Sequence, residues 1–87
     1  MENLDAITRR SMRRVRIGKR LMSIGDNVKF LHCGIQYIGT IDEIYLSRDI
    51  FEPHPDINGV VRVIIAVKEN GITKYYNRRQ VEIEEVN

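Results

Sequence analysis

The run Val60-Val61-Arg62-Val63-Ile64-Ile65-Ala66-Val67-Lys68-Glu69, followed by Asn70-Gly71 and Ile72-Thr73-Lys74-Tyr75-Tyr76, decides the fold. It is β-branched almost throughout, and β-branched side chains fit a pleated surface better than a helix. Val61, Val63, Ile65 and Val67 form one alternating row, and Val60, Ile64 and Ala66 form the other. Two apolar rows predict a central strand over 60–69, covered on both faces. Asn70-Gly71 is a strong hairpin signal, because a type I′ turn needs positive φ at both of its central residues. Ile72 to Tyr76 must then return antiparallel.

The same reading extends outward in both directions. Asn77 to Gln80 is polar and compact and predicts one 3₁₀ turn, after which Val81 and Ile83 begin a last short strand. Upstream, Gly25-Asp26-Asn27 is a turn signal, and Val28 and Phe30 alternate after it as a first strand. Cys33-Gly34 makes a bend into a long strand from Ile35 to Leu46, in which Gly39 marks a bulge or a close backbone approach. Residues 47–59 read as an exposed loop, since Pro53 and Pro55 cannot donate ladder hydrogen bonds and Asp56 and Asn58-Gly59 add turn chemistry.

The N-terminal segment has a different texture. No Gly or Pro interrupts residues 3–17, Asn3 can cap a helix, and Asp5 suits the positive end of its dipole. At about 100° per residue, Leu4, Ile7 and Val15 fall on one side, while Arg9, Arg13 and Arg16 fall on the other and Arg20 continues their line. This predicts an amphipathic basic helix whose apolar stripe is thinned by Ser11. The predicted organisation is a basic N-terminal helix or arm over 1–22 and a small β-barrel domain over 23–87.

The order of elements resembles the small barrels of the Src-homology-3 (SH3), Tudor and KOW type. Gly25-Asp26-x-Val28-x-Phe30, with Gly34, Gly39 and Ile41, looks like a KOW motif. The resemblance implies a mainly β fold, a five-stranded SH3-like barrel preceded by the basic α-helix. It also implies binding rather than catalysis, with barrel loops touching RNA, DNA or a partner protein. The chain departs from the usual KOW pattern in placing Cys33 before the loop glycine, in having few bases in that loop, and in the proline-bearing insertion after the second strand.

Composition narrows the function classes. At 87 residues the chain suits one domain, and 43% apolar with 30% charged residues is the balance of a folded protein, not of a disordered one. The longest nearly apolar run, Val60 to Val67, contains Arg62 and falls far short of the roughly 20 residues a membrane-spanning helix needs. The N-terminal arginines are not followed by an apolar stretch, so no secretory signal is read, and a cytoplasmic location is expected. Cys33 is the only cysteine and is expected to be a packed thiol, leaving no internal disulfide and no thiolate zinc cluster. His32 and His54 are too few for a metal site, and His32 projects away from Cys33 on alternating strand positions. Asp42-Glu43 and Glu84-Glu85 alternate faces in the same way, and no glycine loop precedes a helix to cradle phosphate. The expectation is therefore a non-enzyme with no metal and no cofactor.

Charge points to a partner. Residues 1–22 carry Arg9, Arg10, Arg13, Arg14, Arg16, Lys19 and Arg20 against Glu2 and Asp5, a net +5, whereas residues 23–87 carry −3. Guanidinium groups fork onto phosphate oxygens, and each neutralised phosphate releases counterions. A second cluster, Lys74, Tyr75, Tyr76, Arg78 and Arg79, interleaves rings with cations as base-stacking surfaces do, and strand alternation places Tyr75 and Tyr76 on opposite faces, so that at most one of them joins Arg78 and Arg79 on a given surface. The leading expectation is a small nucleic-acid-binding protein, RNA favoured over DNA, gripping phosphates through the basic helix. The alternative is a protein-interaction module or inhibitor, phage or mobile-element encoded for example, that meets a protein partner through the barrel. No membrane partner is expected, because no Trp or Phe accompanies the bases.

Overall fold

The computed structural model describes residues 7–49 and 59–86. Eight strands run in the order β1 (Ile7–Met12), β2 (Arg14–Ile17), β3 (Arg20–Ser23), β4 (Asn27–His32), β5 (Ile35–Asp49), β6 (Val60–Glu69), β7 (Ile72–Arg79) and β8 (Ile83–Glu85), with a 3₁₀ turn at Gln80–Glu82. The main sheet has the order β7-β6-β5-β4-β8, with β1 pairing the distal half of β5, and β2-β3 form a separate hairpin. All pairings are antiparallel.

The predicted N-terminal helix is overturned: the described residues contain no α-helix, and 7–23 form three strands. Two physical terms favour strands here. A helix would set Arg9 against Arg13 and Arg10 against Arg14, like charges at i,i+4 that destabilise it. Arg14-Val15-Arg16-Ile17 also alternates with period two, and in the structure both apolar residues are buried while both arginines face water. Gly18, at φ 61, then supplies the single positive φ that opens a type II′ hairpin turn. The cap at Asn3, together with Leu4 and Asp5, lies outside the described residues.

The predicted closed barrel is also overturned, because the sheets are open. After Arg79 the chain passes through the 3₁₀ turn to the far side of the sheet, where Ile83 pairs with Phe30 of β4 instead of closing against β7. The β2-β3 hairpin lies over one face of the main sheet. Val15, Ile17 and Met22 join Val28, Phe30, Ile41, Ile44, Val63, Ile65, Val67 and Ile83 in a single core. That face is called inner below. Both Ile41 and Ile44 reach it because a bulge at Asp42 inserts one residue between the pairs Ile41↔Ile65 and Glu43↔Ile64.

Gly39 marks a close approach, one of the two readings its place in the strand allowed, while the bulge lies three residues on at Asp42. A Cβ on Gly39 would sit 2.6 Å from the Ala66 carbonyl oxygen and 2.6 Å from Ile65 Cγ2. The β6 strand has its predicted bounds, and Asn70 and Gly71 adopt φ 52 and 79 as a type I′ turn requires. The β5 strand runs to Asp49, past the predicted start of the loop. Pro53, His54, Pro55, Asp56 and Asn58 of that loop lie outside the described residues. Cys33 is exposed, not packed, because it occupies the first position of a second positive-φ turn, with φ 53 followed by 79 at Gly34.

Candidate nucleic-acid interface

Arg14 and Arg16 point away from the core on alternate positions of β2, about 6.7 Å apart along the strand. Arg10 near the end of β1, Arg13 in the bend after it, Lys19 in the hairpin turn and Arg20 at its exit are likewise exposed. No acid occurs between residues 6 and 25. Among the described residues no carboxylate lies within ion-pairing distance of Arg10, Arg13, Arg14, Arg16, Lys19 or Arg20. Arg9 sits in β1 opposite Ser47.

Backbone contacts hold this surface in place. The Gln80 side-chain amide donates to the Arg16 carbonyl at 2.6 Å, and the Lys19 N–H donates to Glu85 Oε2 at 3.1 Å. Both ties anchor peptide groups and leave the charged heads in water. Arg16 makes one long bond of its own, from Nη1 to the Lys19 carbonyl at 3.4 Å. At the base of the hairpin, Asp26 Oδ2 accepts the Ser23 N–H at 2.8 Å, and Gly25 and Asp26 bond to Ile41. The Gly25-Asp26 pair thus builds the corner joining the hairpin to the sheet, with Gly25 at φ 99.

The second predicted cluster is divided between two faces. Lys74 and Arg78 lie with Tyr76 on the inner side of β7, whereas Tyr75 and Arg79 lie on the outer side. Arg78 is engaged within the protein. Its Nε and Nη2 donate to the Leu31 carbonyl at 3.3 and 3.2 Å, and its Nη1 donates to the Asn77 carbonyl at 2.9 Å. Its Nη2 also meets His32 Nδ1 at 2.7 Å. The guanidinium lies 5.3 Å from the Phe30 ring centre and 5.8 Å from that of Tyr76. An arginine has no acceptor to offer, so His32 Nδ1 must present its lone pair. Lys74 pairs with Glu69 at 3.8 Å and Arg79 with Glu82 at 3.6 Å.

Phe30, Tyr37 and Tyr76 form a three-ring cluster with centroids 5.2 to 5.9 Å apart, and His32 packs edge-on against Tyr76 at 4.9 Å. The sequence places both tyrosines in the cluster and favours Tyr75 over Tyr76 for the contact, with no part for His32 or Tyr37. The signal that finds Tyr76 is positional: 76 and 78 share a face, and 75 and 78 do not. Outside the inner face, Tyr75 is 62% exposed, Leu31 59% and Ile38 56%.

No group of three or more potential metal ligands occurs among the described residues, and no helix there is long and apolar enough to cross a membrane. No protein-family model matches this sequence, and neither a curated protein nor a solved structure matches it.

Proposed function

We propose that this protein binds nucleic acid through the basic surface of β1 to β3, with RNA the first ligand to test and DNA the second. The observation that supports this most strongly is the set of six exposed bases at 10, 13, 14, 16, 19 and 20, whose head groups have no carboxylate within ion-pairing distance among the described residues. A purely solvated surface gains nothing from holding like charges together. A polyphosphate turns that repulsion into counterion release. Contacts from these bases to phosphate oxygens carry no sequence information, so the contact is sequence-independent as far as it rests on phosphate.

The test is recovery of the full-length protein from lysate with and without nuclease. The expected result is elevated absorbance at about 260 nm, a nucleic-acid signature that nuclease removes, together with direct binding of the purified protein to single-stranded RNA. A stable, stoichiometric protein partner that survives nuclease treatment favours the second reading, an interaction module. That reading is supported by the exposed Leu31, Ile38 and Tyr75 on the outer sheet face, an apolar array that water alone does not favour.

A further inference from the structure

The β7 strand is an edge. It pairs with β6 on one side and with no described strand on the other. The two-residue Asn70-Gly71 turn makes Glu69↔Ile72 a hydrogen-bonded pair, so the peptide groups of Thr73, Tyr75, Asn77 and Arg79 face away from β6. Two side-chain contacts agree: the Arg79 N–H is taken by Glu82 Oε1 at 2.8 Å, and the Asn77 carbonyl by Arg78 Nη1 at 2.9 Å. The far end of the edge is therefore capped by the chain itself. No described group bonds to the outward peptide groups of Thr73 and Tyr75, and neither a proline nor a bulge interrupts this strand.

From this edge we infer that β7 pairs antiparallel with β7 of a second copy of the chain, about a two-fold axis at Tyr75, joining two main sheets into one. The register follows from charge and face. Only odd residues turn their peptide groups outward, the Asn77 carbonyl keeping a second lone pair beside the bond from Arg78, and a two-fold pairing must match outer face with outer face. Centring on Lys74 opposes two lysines, and centring on Tyr76 opposes Lys74 to Arg78. Centring on Tyr75 sets Tyr75 against Tyr75, Thr73 against Asn77, and Lys74 against Tyr76, with no like charges opposite. Exposed Tyr75, half-buried Ala66 opposite it and exposed Ile38 on the diagonal then carry an apolar strip across the joint into their symmetry mates. The charges nearest the edge are already matched by Glu69 and Glu82, which lowers the repulsion between copies. The inference stands independently of nucleic-acid binding.

Cysteine cross-linking of the full chain tests the register, in a Cys33→Ser background so that the exposed native thiol cannot react. A hydrogen-bonded antiparallel pair has Cα atoms about 5.5 Å apart, within disulfide reach. Tyr75→Cys with a mild thiol oxidant, which takes up two electrons and two protons per S–S bond, should give a covalent dimer. Thr73→Cys should not, because its symmetry mate lies about 13 Å along the strand. Sedimentation of the native chain should show a dimer population growing with concentration, and Tyr75→Pro, whose lost N–H bonds nothing in the monomer, should abolish it. Equal cross-linking of the two cysteine variants, or a native chain that stays monomeric at millimolar concentration, overturns the inference.

Discussion

The protein has two cationic regions of similar composition and opposite chemistry. On β7 each cation is engaged: Arg78 is bound to the Leu31 carbonyl and stacked on Phe30 and Tyr76, Lys74 meets Glu69, and Arg79 meets Glu82. On β1 to β3 the backbone is pinned by Gln80 and Glu85, while the heads of Arg10, Arg13, Arg14, Arg16, Lys19 and Arg20 have no acid within ion-pairing distance among the described residues. A count of Arg and Lys does not separate the two. The difference lies in what surrounds each head group, since a cation already bonded to carbonyls and rings has little left for a phosphate, and an unpaired one retains all its donors.

The largest expected effect comes from breaking the exposed region. Replacing Arg10, Arg13, Arg14 and Arg20 by Gln should lower affinity for single-stranded RNA at low salt by about 10²-fold while leaving the urea midpoint nearly unchanged. Arg78→Ala should do the reverse in kind, costing about 2–3 kcal/mol of stability in urea unfolding from lost charge-assisted hydrogen bonds and cation–π contact. Smaller again is Gln80→Ala. It removes the amide that holds β2, should cost about 1 kcal/mol, and should weaken RNA binding although every cation remains. The smallest effect concerns Glu82, whose carboxyl is held below the usual carboxylate range, chiefly by the Arg79 N–H and then by the nearby Arg79 charge. Its contribution is complete above the unfolded value of about 4.3 and is lost as pH falls through the lower folded value. Glu82→Gln should therefore flatten the acid limb of the stability curve slightly, without altering stability's response to pH near neutrality.

Much of the sheet was legible in the chain because β6 and β7 carry strong local signals. Val60 to Glu69 is apolar on both rows, and Asn70-Gly71 admits few conformations besides the turn it makes. The N-terminal third was not legible in the same way. Its arginines oppose a helix only weakly, through like charges at i,i+4, and its apolar residues Ile7, Val15, Ile17 and Met22 are so sparse that only the short Arg14 to Ile17 alternation marks a strand. What decides is tertiary: β1 adds to the distal half of β5, and the hairpin closes over the core. Cys33 was misread as packed because a short apolar side chain usually is, whereas the tight reversal between β4 and β5 needs two positive φ values wherever the strands end. The identity of the exposed bases was readable from composition. Their separation from the engaged bases of β7 was not, because Arg78 reaches its carbonyl and ring partners across strands distant in sequence.

The most direct test of the central claim is the salt dependence of RNA binding by the native chain beside the variant lacking Arg10, Arg13, Arg14 and Arg20. If the β1 to β3 surface neutralises phosphates, log affinity falls linearly with log salt at a slope of about −0.7 per phosphate contact, and the variant's slope is less negative by about 3. An affinity that ignores salt, or a slope unchanged in the variant, contradicts the account.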